Sequence, residues 1–229
     1  MIKLITRNEI VGSKKLIASE LAKIQRVVYD EETLNFYKQD NEEHLYQQYF
    51  DFIEQPTFDY NTFYKVISPV HTDITTFTKI LATKLTELFR VIKAEQIIVV
   101  SHLKLDFFGN RTNDYEPLIN AYKKLERITG DTSYNEAFVI TPDSLAEIID
   151  VLFWLTRCDP SVAEYIFLFD EHEQVELYFC KYGNVHLTEF NTEKLTNPWL
   201  SNNGWQVIEG EEFDNFSETG KIEGRRLKL

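Results

Sequence analysis

His102 and Asp106 are the first residues in this chain whose types and spacing suit acid–base chemistry. An imidazole oriented by a carboxylate can act as a general base. Both follow the apolar run 97–100, with Ser101 beside them, and the C-terminal edge of a buried strand is a favoured place for sites in α/β sheets. The spacing of four brings them to one side only if the strand continues through residues 103–105. Otherwise His102 is a polar residue where the strand leaves the core. A second set, Asp170, Glu171, His172 and Glu173 with Glu176 beyond, offers oxygens and an imidazole to a divalent ion, with Asp170 and His172 the candidate ligands. Successive strand residues point to opposite faces, however, and a hairpin tip is where charged groups are solvated.

The remaining candidates have simpler readings. His71, Thr72 and Asp73 precede a helical stretch, and capping accounts for Thr72 and Asp73. His186 is expected across a hairpin from Lys181 as a surface polar pair, and His44 on a charged helix face. Cys180 alternates with Tyr178 and Tyr182 but has no base nearby in sequence, as a nucleophile needs. Cys158 and Cys180 form no CxxC pair and read as reduced, buried thiols. The chain has no glycine-rich phosphate loop between strand and helix, no GxSxG and no HExxH, so no cofactor is expected.

The positions of these groups depend on elements legible in the apolar pattern. Residues 14–28 and 74–92 carry apolar stripes at helical spacing, with Ser13 and either Thr72 or Asp73 as caps. Residues 33–55 read as one aromatic-faced helix, ended before Pro56. Residues 58–69 are ambiguous between strand and helix. From Glu95 the order is strand (97–100), helix (114–130), strand (137–140), helix (from Thr141-Pro142), then three strands at 165–169, 175–181 and 185–190. Asp114 is the expected cap of the first of these helices and Gly130 its stop.

A four-residue turn sets Leu168 beside Leu177. A two-residue turn at Gly183-Asn184 sets Cys180 beside Leu187 and Leu177 beside Phe190. The fold class is therefore α+β: a mainly helical N-terminal half (1–94), then a mixed sheet of about five strands in the order β-α-β-α-β-β-β with a right-handed crossover. Residues 191–229 are irregular but rich in large apolar groups, among them Trp199, Trp205 and Phe216, so they pack on the body and the whole forms one unit. Ile222-Glu223-Gly224-Arg225 matches a protease tetrapeptide used in protein engineering; four residues carry little weight, and the segment is read as native.

Composition bounds the function. The 229 residues carry a net charge of −13, with 43% hydrophobic and 14% aromatic side chains. That balance argues for a folded globule and against direct contact with nucleic-acid phosphates or anionic membranes. No stretch approaches the roughly 20 apolar residues of a membrane span, and no secretory leader is evident, so the cytoplasm is the expected location. Tyrosines interleave with carboxylates between residues 35 and 55, where Tyr46 and Tyr49 stand among Asp40, Glu42, Glu43 and Asp51. Rings supply area that loses water on docking, and the acids steer a basic partner. The leading expectation is a non-enzymatic acidic binding protein, an inhibitor- or immunity-type partner of a basic macromolecule. The alternatives are a small hydrolase or metal-assisted enzyme using His102 and Asp106, and a structural homodimer subunit pairing through an apolar sheet face or the C-terminal tail.

Overall fold

Strict alternation of large apolar groups on both sides of a strand requires cover on both sides, and the computed structural model, which describes residues 1–54, 59–70 and 73–226, supplies it. In β5 (Ile166–Asp170), Ile166 and Leu168 enter one core cluster while Phe167 and Phe169 enter another. β3 (Ile97–Ser101) splits in the same way, with Ile97 and Val99 on one side and Ile98 and Val100 on the other. The first cluster packs beneath α5 (Ile74–Val91), α6 (Glu116–Thr129) and α7 (Leu145–Cys158), and also takes in Leu195, Leu200 and Trp205 from the C-terminal region. The second packs against α1 (Arg7–Ser13) and α2 (Lys15–Val28). The apolar sheet faces that could have paired two subunits are thus packed on the chain's own helices.

The fold is α+β, but the sheet is larger and more regular than expected. It has eight strands among the described residues, in the order β1-β4-β3-β5-β6-β7-β2-β8, and every pairing is antiparallel. Besides β3 and β5 these are β1 (Ile2–Ile5), β2 (Thr62–Pro69), β4 (Ala137–Ile140), β6 (Val175–Phe179), β7 (Val185–Phe190) and β8 (Trp205–Ile208). The five-stranded mixed sheet is therefore corrected, and the mainly helical N-terminal half also supplies two strands, β1 and β2. β2 resolves the ambiguous stretch as an eight-residue strand inserted between β7 and β8. No parallel crossover links β3 to β4. The loops flanking α6 meet at one end of the sheet, where Phe107 N–H donates to Tyr134 C=O at 2.8 Å, so the chain re-enters beside its exit and β4 runs antiparallel.

Two turns decide the remaining register. Leu168 pairs with Leu177, as the four-residue turn requires. The second hairpin differs: Tyr178 pairs with His186 and Leu177 with Leu187. Cys180 N–H donates to Asn184 C=O and Gly183 N–H to Cys180 C=O, closing a three-residue loop with Gly183 at φ +86°. Glycine is thus used as the left-handed residue that ends a three-residue turn, not as half of a two-residue one. The odd shift moves Leu187 and Phe190 each to the opposite face.

Helix ends also depart in places. Asp73 caps α5 through Thr75 N and Thr76 N, and Gly130, at φ +70°, ends α6. The cap of α2 is Lys14 rather than Ser13, and α6 follows Tyr115, not Asp114. The expected helix over 33–55 breaks into α3 (Glu31–Gln39) and α4 (Glu43–Gln47), because Asn41 adopts φ +58°, which no helix accommodates. After a 3-10 turn at Pro142–Ser144 the chain enters α7, and α8 (Asn197–Asn202) leads into β8. The 222–226 segment is built into the body: Arg225 donates to the carbonyls of Thr156 and Arg157, and Asn113 to that of Gly224. No helix among the described residues is long and apolar enough to cross a membrane.

Candidate functional site

His102 and Asp106 are not joined. His102 is 4% exposed; its Nδ1 faces the Tyr165 backbone at 3.2–3.3 Å and its ring meets Tyr165 edge-on. Burial, helped by the nearby Arg7 charge, lowers its pKa to about 4, so the ring is neutral near pH 7. Asp106 serves the other side of the loop, accepting from Phe108 N, Tyr134 N and Ser133 Oγ at 3.0 Å each. The acid–base pair is thereby corrected, because the strand ends at Ser101 and the chain turns before Asp106.

The acidic turn before β6 is consumed by backbone bonds. Asp170 is fully buried and accepts from the N–H groups of His172, Gln174 and Val175. Glu171 accepts from Glu95 N and Gln96 N, and Glu173 from Leu16 N and Ile17 N at the start of α2. Carboxylates so placed stabilise a helix start and a tight turn. His172 is exposed, 3.4 Å from Glu171. These side chains tie the hairpin to α2 and β3 and do not converge on an ion. His71 and Thr72 lie outside the described residues, and His44 is exposed on α4.

Residues 30–54 form the most distinctive surface. They carry Asp30, Glu31, Glu32, Asp40, Glu42, Glu43, Asp51 and Glu54 against a single lysine, Lys38. Inside the loop of α3 and α4, Tyr46 stacks on Tyr37 at 6.0 Å and meets Tyr29 and Phe50, while its hydroxyl accepts from Asp30 N at 2.7 Å. None of these rings joins either core cluster. Phe36 is 65% exposed and Phe52 60%, so the aromatic group continues to the solvent. A cleft of about 470 Å³ opens beside it, lined by Gln25, Arg26, Tyr29, Phe50, Phe52 and Ile53. Asp40 and Glu42 are exposed, and Glu43, Tyr46 and Tyr49 half-buried.

Asp51 does not belong to that surface. Its side chain is 2% exposed and pairs with Arg7 at 2.6 Å, with Gln25 Nε2 at 2.8 Å and Lys104 Nζ at 3.4 Å. Burial alone would raise its pKa; the Arg7 guanidinium, Gln25 and Lys104 outweigh that and hold it below the usual carboxylate range. Arg7 also donates to Ser101 C=O, and Gln25 to His102 C=O, so this ion pair fastens α1 and α2 to the end of β3. Its assignment as a steering acid is corrected.

The C-terminal half holds a group that sequence spacing concealed. His186 is buried, not paired with Lys181, and stacks on Tyr178 at 4.3 Å. Glu212, from the segment after β8, lies 3.3 Å from its Nε2 and 3.5 Å from Cys180 Sγ. Burial, with Glu212 adding to it, pushes the Cys180 thiol up to about 11, so it is not a poised nucleophile. Cys180 and His186 flank a hairpin turn, which was a usable signal; Glu212 sits in an ordinary acidic run and carried none. Comparison with protein-family models, curated proteins and solved structures finds no match to this chain.

Proposed function

We propose that this protein is a non-enzymatic binding protein whose 30–54 surface docks a basic protein, in the manner of an inhibitor or an immunity-type partner. The observation that carries the reading is the coincidence, on one surface, of solvent-facing carboxylates with exposed Phe36 and Phe52 over an aromatic group that belongs to neither core. Apolar rings ringed by charge are what a steered, partly desolvated interface requires. Carboxylates of one sign exclude a nucleic-acid backbone there and favour lysine and arginine. Two free thiols, Cys158 and Cys180, support a reducing compartment such as the cytoplasm.

The test is affinity capture from source cells, followed by rate measurements with the captured basic protein. Neutralising Asp40, Glu42 and Glu43 together is expected to slow association by about tenfold at low salt, with little difference left at high salt. Phe36→Ala with Phe52→Ala is expected to speed dissociation by about tenfold or more. A partner whose binding ignores salt, the neutralised acids and the missing rings overturns the reading.

A further inference from the structure

Near the β6–β7 hairpin, Tyr178, Cys180 and His186 lie beside Tyr64 of β2, and the segment after β8 lays Glu212 over them. His186 is 7% exposed and held from two sides: its ring is parallel to Tyr178, 4° apart, and its Nδ1 bonds the Tyr64 hydroxyl at 2.6 Å. Its Nε2 has no hydrogen-bond partner among the described residues, although Glu212 Oε2 is 3.3 Å away. A buried imidazole nitrogen without a partner, aimed at a carboxylate and a sulfur, leaves a polar atom unsatisfied at a cost that natural proteins rarely accept.

We infer that Cys180 Sγ, His186 Nε2 and Glu212 Oε2 form a binding site for Zn²⁺. The three atoms lie within 4.8 Å of one another. With zinc bond lengths of about 2.0–2.3 Å, a tetrahedral site has N···O edges of about 3.3 Å and S···O edges of about 3.6 Å. The corresponding distances here are 3.3 Å and 3.5 Å. Two edges of the tetrahedron are therefore formed before any ion enters. Thiolate and carboxylate balance a dication, and the sulfur and imidazole donors select zinc over magnesium or calcium.

The surroundings match what metal ligands need. Tyr64 fixes the ring through the nitrogen that would not bind the metal, and Asn184 Nδ2 donates to Glu212 at 3.1 Å. Cys180, His186 and Glu212 also line a cleft of about 460 Å³ with Tyr165, Lys181 and Arg225. Three protein ligands beside a cleft leave a fourth position for water or a small anionic ligand.

Cobalt titration of the full chain tests this. One equivalent of Co²⁺ is expected to give a near-ultraviolet thiolate-to-cobalt band and intense visible bands of tetrahedral cobalt, both bleached by one equivalent of Zn²⁺. Cys180→Ser is expected to lose the thiolate band while Cys158→Ser keeps it, and Glu212→Gln to weaken zinc binding tenfold or more. No thiolate band in the wild-type protein, or a band that survives Cys180→Ser, overturns the site. Should Cys180→Ser fail to fold, Glu212→Gln decides: unchanged zinc affinity in that variant refutes the assignment.

Discussion

Glu176 gives the sharpest handle on the energetics of the sheet. It is the second residue of β6, opposite Thr188 on one side and Phe169 on the other, and is 7% exposed. Its Oε2 has no hydrogen-bond partner among the described residues. Burial, reinforced by Glu20 and only partly opposed by Lys23, raises its pKa from 4.5 to about 8. The folded state therefore keeps the proton through a range where the unfolded chain has lost it. With more protons bound in the folded state, stability must fall as pH rises. It is fully present below the unfolded value and lost up to about pH 8. At about 1.4 kcal/mol per unit, the loss between pH 5 and pH 8 is on the order of 4 kcal/mol. Glu176→Gln removes the titration while keeping the shape. Urea unfolding at pH 5 and pH 8 is the assay, and the wild-type midpoint is expected to drop by about 1 M more than that of the variant. Parallel pH profiles in the two proteins would refute the reasoning.

Two further perturbations address the ion pair and the hairpin. Asp51→Ala strands the Arg7 guanidinium, 2% exposed, and is expected to cost about 3–5 kcal/mol in chemical unfolding while leaving association with a basic partner unchanged; a loss below about 1 kcal/mol would contradict the buried-pair account. Gly183→Val combines a φ of +86° with a Cβ placed 2.6 Å from the Phe216 ring. A drop of about 2 kcal/mol or more is expected, partly recovered by adding Phe216→Ala, and an unchanged melting temperature would show that the loop relaxes freely.

Local chemistry was legible wherever a side chain acts on its own neighbourhood. The stripes of α2, α5, α6 and α7, the Asp73 cap, the Gly130 stop and the two-sided apolar character of β3 and β5 all follow from period and from capping. The Leu168–Leu177 register followed from turn length. Direction and partnership did not, because strand periodicity is the same in parallel and antiparallel pairs. Only the meeting of the two loops around α6 sets β4 antiparallel to β3, and only cross-chain pairing draws β2 and β8 into the sheet. A single glycine moved from one turn type to another was enough to exchange Leu187 and Phe190 between faces.

The same division runs through the candidate sites. The exposed acids and tyrosines of 30–54 were visible as composition, since charge on a surface needs no partner to act at a distance. Asp51 looked like one more of them until α1 delivered Arg7 to it from 44 positions away. The acidic turn at 170–173 resembled a ligand set in sequence, yet Asp170 is spent on N–H groups of its own turn, and Glu171 and Glu173 on N–H groups that only the fold brings near. Glu212 became a neighbour of Cys180 and His186 because the chain after β8 folds back across the hairpin. Residue type determines what a group can do; the long-range path of the backbone decides which groups it meets.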